Sequence, residues 1–267
     1  MGDNFDRRSP ARQDGHAGFL SKRLAATAAM VTSGSRVADL GTDHAYLPIW
    51  LVKEGICPLA IAADLRQGPL LAAYEHVHKA GLDNRVALRL SDGLQKIAPG
   101  EVDTVTITGM GGPLICKILS DGENTVRTVK ELILSPQSDV PEVRRYLLEH
   151  GIAIIDEVMV CEDGKYYVII KANPIAASLK PEDSDVGTAD DSTAADIVMW
   201  SEEELIFGRF LLRKRPQIFL DYLDWRIGKL KDVCAALSKE TTERAKLRLS
   251  EMEAELNQMI RIRHSGK

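Results

Sequence analysis

Four side chains able to do chemistry crowd one short stretch, VADLGTDHAYLP at residues 37–48: Asp39, Asp43, His44 and Tyr46. The stretch begins apolar and strand-like, turns at Gly41 and resumes as an apolar helix, so the four stand at the mouth of a strand-to-helix turn. In an open parallel sheet such turns lie beyond the carboxyl ends of the strands, where ligands sit. Gly41 lets the backbone turn sharply and approach a ligand closely. Asp64, followed by Leu65 in AADLRQG, comes 23 positions after Gly41, near the spacing of about 20 expected for a carboxylate that accepts ribose hydroxyls. Asp92 and Gly93 in RLSDGL close a third strand and offer an acceptor for an exocyclic adenine amine. TITGMGG closes a fourth, with Gly109, Gly111 and Gly112 around Met110, where bare backbone faces a reacting centre. The four turns in succession describe a site for an adenosine-bearing cofactor.

A dinucleotide would need the pattern G-x-G-x-x-G, so that its pyrophosphate rests on amide groups at a helix N-terminus. Here Thr42, Asp43 and His44 follow Gly41, with an acid where the second glycine belongs. That carboxylate repels a pyrophosphate and suits a cofactor carrying an ammonium group, which favours S-adenosyl-L-methionine over NAD.

The elements that must hold these turns are legible in the periodicity. Short apolar runs (RVADL, LAIAADL, RVALRLSD, DTVTITG, ELILSP) alternate with helical stretches, which predicts an α/β fold with a mostly parallel sheet covered on both faces. IAIIDEVMVCED and KYYVIIKA, separated by a turn, predict a closing antiparallel hairpin. With 267 residues, 45% hydrophobic and 27% charged, the chain has room for one such domain and something smaller. The segment from 207 to 267 reads as two striped helices, FGRFLLRKRPQIFLDYLDWRIGKLKDVCAALSK and TTERAKLRLSEMEAELNQMIRIRH, forming an antiparallel helical hairpin. Leu223, Ile227, Leu230, Val233 and Leu237 make one stripe; Leu249, Met252, Leu256, Met259 and Ile260 make the other.

Charge divides the chain unevenly around a net of −5. Residues 173–206 hold nine acids against Lys180 alone, whereas 207–267 hold fourteen Lys and Arg against eight Asp and Glu. A basic module on an acidic protein suits a polyanionic partner. The expected organisation is a flexible N-terminal tail (1–18), a cofactor-binding domain (19–172), an acidic linker (173–201) and a helical coiled-coil module (202–267). Cys57, Cys116, Cys161 and Cys234 lie far apart, which favours neither a zinc site nor a disulfide framework and fits a reducing cytoplasm. His76 and His78, two apart on a helix, point to different sides, so no metal is expected. No apolar run reaches the length of a membrane helix and the opening residues lack a secretory core, so a soluble, cytoplasmic monomer is expected.

The run VADLGTDHAYLP, with AADL, SDGL, TGMGG, ELILSPQ, VRRYLLEHG and CEDGKYY after it, resembles the bacterial tRNA (adenine-22-N1)-methyltransferases, strongly over residues 20–171 and loosely through the C-terminal hairpin. The resemblance implies a Rossmann-like class I methyltransferase sheet with a C-terminal coiled coil, S-adenosyl-L-methionine as cofactor and tRNA as substrate. It implies that Asp39, Gly41, Thr42 and Asp43 form the first cofactor motif, that Asp64 and Leu65 lie at the ribose, Asp92 and Gly93 at the adenine, and Gly109 and Met110 beside the methyl group. Arg23 and Leu24 match a pair in the family's first helix. Two places depart from the pattern: Ser135, Pro136 and Gln137 stand where a QPN-like turn is expected, and YYVII lacks the acid that often follows the tyrosines.

Methyl transfer from a sulfonium is an in-line displacement, so the enzyme chiefly holds nucleophile and carbon in line. Adenine N1 already presents a lone pair and needs no strong base. His44 and Tyr46, with Met110 at the reacting centre, are the catalytic candidates, the first two for stacking on or hydrogen bonding to a base turned out of the RNA. The basic hairpin and Arg7, Arg8, Arg12, Lys22 and Arg23 are candidates for phosphate contacts. Two other readings share these features: a small-molecule methyltransferase, which needs no basic module, and a noncatalytic RNA-binding or coiled-coil protein, which needs no intact Asp39, Asp64 and Asp92.

Overall fold

The computed structural model describes residues 20–174 and 200–265. The expected N-terminal tail (1–18), with Arg7, Arg8 and Arg12, and residues 175–199 of the expected linker (173–201) lie outside them. Strands β1 (Val37–Leu40), β2 (Ala60–Asp64), β3 (Val86–Leu90), β4 (Thr104–Thr108) and β5 (Glu131–Ser135) pair in parallel, and β6 (Ala153–Glu162) and β7 (Lys165–Asn173) complete a seven-stranded sheet in the order β3-β2-β1-β4-β5-β7-β6. β7 pairs antiparallel with both β5 and β6. Every residue of β1, β2 and β5 is buried, as parallel strands covered on both faces must be. The edge strand β3 is only partly covered.

On one face, α1 (Lys22–Met30), α2 (Tyr46–Lys53) and α3 (Gln67–Lys79) pack through Ala28, Leu51, Val52, Ala73 and Val77. On the other, α4 (Gly112–Asp121), the one-turn α5 (Glu123–Val126) and α6 (Val140–Glu149) pack through Ile115, Leu119, Val126, Val143 and Leu147. Trp200 and Leu205 belong to this second cluster. Trp200 is only 7% exposed, so the chain is docked on the sheet domain just before α7 (Glu202–Phe207), whose start is fixed by a Ser201–Glu204 capping box.

The C-terminal module corrects one reading. The long helix expected from 207 onward is two: α7 ends at Phe207 before Gly208, α8 spans Arg209–Lys214, and α9 spans Gln217–Leu237. Arg215 takes a left-handed conformation (φ 46°) and Pro216 caps α9; proline has no N–H to continue the ladder, so the helix breaks there. α9 and α10 (Glu243–His264) form the expected hairpin, tied by Arg226 to Glu255 at 2.8 Å and by Arg263 to Asp224 at 2.8 Å. The buried seam is narrower than the stripes suggested. Leu223, Leu230, Met259 and Ile262 are buried with Met159 of β6 and Phe207, Leu211 and Phe219, while Val233 is 42% exposed. The root of the hairpin packs on the sheet and its far end packs only on itself.

An ion pair at that root joins the two parts. Arg144 of α6 donates from Nε to Glu157 of β6 at 2.7 Å, with both side chains at most 1% exposed. Its Nη1 donates to the carbonyls of Leu205 and Ile206 at 2.7 and 3.0 Å, the free end of α7, and Glu157 accepts the N–H of Phe210 at 3.3 Å. Gly208 is required beside it: its φ is 90°, and a Cβ would lie 2.5 Å from Glu157 and 2.7 Å from Arg144. Removing one partner of a buried pair leaves a bare charge at a cost of about 3–5 kcal/mol. Arg144→Ala and Glu157→Ala are each expected to lower unfolding free energy by that amount in urea titrations, and the double variant by less than their sum.

Candidate functional site

The strand order reverses between β1 and β4, which leaves their carboxyl ends open to solvent between the two helical layers. Sheet register then places the polar residues. Asp39 stands opposite Thr106 of β4, and Thr106 Oγ1 donates to Asp39 Oδ1 at 2.6 Å. Asp64 ends β2, accepts the N–H of Arg66 at 2.7 Å and lies 3.7 Å from Arg66 Nε. Both carboxylates are buried, at 5% and 7% exposure. Gly41 follows β1 with φ 69°, and the N–H groups of Gly41 and Thr42 both donate to Ala63 O, at 2.8 and 3.0 Å, which pins the turn against β2. A Cβ on residue 41 would meet the Met110 methyl at 2.1 Å. The flexible thioether could swing aside, whereas the left-handed backbone itself excludes a side chain at a cost of roughly 1–2 kcal/mol.

Gly109 (φ 79°) follows β4, and the space above its Cα is bounded by Gln137 Nε2 at 3.5 Å and Arg23 Nη1 at 3.6 Å. Ser21 caps α1 by accepting the N–H of Leu24 at 3.3 Å, which sets Arg23 in the first turn; its guanidinium lies 5.6 Å from the Tyr167 ring. Arg23 Nη1, His44 Nδ1 and Ser135 Oγ are buried and have no hydrogen-bond partner. Buried polar atoms are rarely left so, and these three belong to residues around the carboxyl ends of β1, β4 and β5. Asp43, Asp92 and Leu65 are exposed at the same edge, Leu65 at 64%. Gly93 (φ 53°) turns the chain after β3, where Ser91 Oγ donates to its carbonyl at 2.8 Å.

The turn into α2 carries strain. His44 (φ 61°) and Ala45 (φ 57°) are consecutive left-handed residues without being glycine, a conformation that persists only where its surroundings enforce it. His76 of α3 does so: its Nδ1 lies 3.1 Å from the His44 carbonyl, so Nδ1 carries the proton and donates, since a carbonyl only accepts. The rings of His44, Tyr46 and His76 form a triangle with centroids 5.2–5.4 Å apart. The sequence offered His76 only as half of a rejected metal pair. As expected it parts from His78, which bonds Asp83 at 3.0 Å, yet nothing in its spacing announced that it backs His44. Gln137 likewise stands out in the sequence only as a departure from a QPN-like turn. Among the described residues no cluster of His, Cys, Asp or Glu could hold a metal ion, and no helix is long and apolar enough to cross a membrane.

Residues 20–170 match the family described as a methyltransferase domain. The chain is 34% identical to the tRNA (adenine(22)-N(1))-methyltransferase of Bacillus subtilis, over 87% of this chain and 92% of that one. It belongs to the tRNA (adenine(22)-N(1))-methyltransferase family. Among solved structures, Sp1610 of Streptococcus pneumoniae in complex with S-adenosyl-L-methionine superposes with a TM-score of 0.73 at 29% identity, covering 92% of this chain and all of that one. TrmK of M. capricolum in complex with S-adenosyl-homocysteine gives 0.70 at 27%, covering 91% and 97%.

In this methyltransferase the Asp39 carboxyl is strongly perturbed. Burial pushes Asp39 up to about 6 in spite of Thr106, Thr42 and Arg23, which hold its charge; Asp64 nearby adds to the rise. The folded protein therefore keeps a proton on Asp39 between about pH 4 and 6 that the unfolded chain has released, so stability falls as pH rises through that window, by roughly 3 kcal/mol for two pH units. Urea titrations at stepped pH are expected to show this loss in the cofactor-free protein and its absence in Asp39→Asn. Thr106→Val should carry the loss to higher pH, since one hydrogen bond to the charged form is gone.

Proposed function

We propose that the protein transfers a methyl group from S-adenosyl-L-methionine to N1 of adenine 22 in tRNA, with the sheet domain holding the donor and the basic helical hairpin holding the RNA. The observation that carries the reading is the extent of the likeness: at 87% of this chain it is too long for the sheet domain alone and reaches into the helical module, so part of the region suited to a polyanion is shared along with the part suited to the cofactor. Hydrogen-bonding capacity at the strand ends fits S-adenosyl-L-methionine. Asp64 accepts the ribose hydroxyls, Asp92 and Gly93 face the adenine, and Leu65 offers it an apolar edge. Gly41 and Thr42 line the floor; Asp39 and Asp43 answer the ammonium group. Arg23 Nη1, buried without a partner, answers a carboxylate, its best complement.

The bound donor supplies a methyl carbon on a positively charged sulfur. The chain's own task is alignment. Gly109 and Met110 expose backbone where the target ring must lie, and the lone pair of adenine N1 forms the new bond while the carbon–sulfur pair returns to sulfur. His44, Tyr46 and His76 present ring faces and the unpartnered His44 Nδ1 to a base turned out of the RNA. No side chain has to remove a proton before bond formation. The four cysteines are free, which suits the reducing cytoplasm where tRNA is modified, and the enzyme acts there as a monomer without metal.

Incubation with labelled S-adenosyl-L-methionine and unmodified tRNA, followed by nucleoside digestion and mass spectrometry, is expected to yield 1-methyladenosine. Asp64→Ala and Asp39→Ala are expected to abolish cofactor binding in calorimetry and methyl transfer with it. Unchanged affinity in both would remove the assignment of the pocket.

A further inference from the structure

β7 runs antiparallel to β5, with Ile170 opposite Leu134. Its first residues therefore project past the carboxyl ends of the parallel strands: Tyr166 lies four residues before Ile170, roughly 13 Å along a strand. This is the same edge that carries Asp39, Asp64 and Gly109. Successive strand residues point to opposite faces. Tyr167 reaches toward Arg23, while Tyr166 packs on α9, 5.4 Å from Tyr222 and 5.6 Å from Trp225 between ring centroids.

Trp225 is 43% exposed. Tyr222, Trp225, Gly228 and Lys229 follow at three- and four-residue spacing and share one face of α9. Two features of that face have no internal cause. Gly228 is mid-helix, where glycine is disfavoured, yet a Cβ there would meet nothing within 4 Å. Lys229 is exposed and has no ion-pair partner among the described residues. The nearby acids are engaged: Asp221 accepts from Gln217 at 2.7 Å and Asp224 from Arg263 at 2.8 Å. By contrast, part of the RKR cluster is committed to the fold, Lys214 to Asp156 and Arg215 to the Arg263 carbonyl.

We propose that Tyr166, Tyr222 and Trp225 form a stacking platform for an unpaired nucleobase of the substrate tRNA, separate from the methyl-transfer site. This rests on the tRNA-methyltransferase reading above. The Trp225 ring supplies a face on which any base can stack. Gly228 leaves the helix bare for the sugar–phosphate chain to approach, and Lys229 meets a phosphate. The basic excess of residues 207–267, fourteen Lys and Arg against eight acids, draws a polyanion to this face. Its place on the cofactor edge lets one RNA touch platform and methyl donor together.

The test compares wild type with Trp225→Ala, Trp225→Phe and Gly228→Leu in the full chain. Trp225→Ala is expected to raise KM for tRNA about tenfold, the loss of one base stack, with the effect falling on KM rather than kcat and with S-adenosyl-L-methionine affinity unchanged. Trp225→Phe should restore most of that loss. Gly228→Leu should raise KM while Tm holds or rises, because leucine favours a helix more than glycine does. Unmodified tRNA should quench tryptophan fluorescence in wild type and not in Trp225→Phe, in which Trp50 and Trp200 remain. Unchanged KM and unchanged quenching in the variants would overturn the platform, as would an effect confined to self-association in sedimentation, which would mark the face as a contact between two copies. Failure of the enzyme reading looks different: wild type itself would then form no 1-methyladenosine.

Discussion

Between β1 and β4 the sheet stops growing in one direction and starts growing in the other, and most of the site follows from that reversal. The helices leaving the two strands pass to opposite faces, so the carboxyl ends stay open. Register does the rest. Asp39 and Thr106 are opposite each other across this seam, so a carboxylate and a hydroxyl donor meet without any loop having to bring them together. The seam is dry, which is why the Asp39 proton is held so tightly and why a ligand with donors to offer gains more there than it would at the surface. Gly41 and Gly109 are the first glycines beyond the two strands, where the chain must turn away without filling the opening.

Around this seam the fold leaves things unfinished. Arg23 Nη1, His44 Nδ1 and Ser135 Oγ are buried without partners, and His44 and Ala45 are held left-handed. Each is unfavourable in the isolated protein. They are tolerated because the surrounding structure over-determines them: Ser21 fixes the start of α1, Ala63 clips the Gly41 turn to β2, and His76 holds the His44 carbonyl. Under the proposed function, these are the groups that a rigid frame holds ready for the ligand.

The helical hairpin is rigidly tied at its root and exposed at its far end. Arg144 and Glu157 bury opposite charges against each other and against the α7 carbonyls and the Phe210 N–H, and the apolar cluster from Met159 to Ile262 surrounds α8 and α9. A buried pair of this kind adds little net stability over an apolar one, yet losing either partner leaves a bare charge. Under the proposed function, this pair fixes the distance between the hairpin and the methyl donor, which matters for a large folded RNA because phosphate contacts set position and do not read bases.

The sequence by itself determined the sheet, the order of its turns and the identity of the residues at each strand end, because period-2 and period-3.6 patterns and glycine turns are local properties. Asp39, Gly41, Asp64 and Gly109 were legible for that reason. The break at Arg215–Pro216 was also written in the sequence, since a proline within a helical run ends or kinks the helix. Only the tertiary structure decided which strands become neighbours, and hence that Thr106 serves Asp39, that His76 stands behind His44, and that Arg144 meets Glu157 and the end of α7. It also decided which part of each helical stripe is covered, since Leu230 and Val233 have the same chemistry and differ only in what lies opposite. Hydrogen bonds and ion pairs between residues tens of positions apart leave no periodic trace, because their partners are chosen by strand order and packing rather than by spacing along the chain.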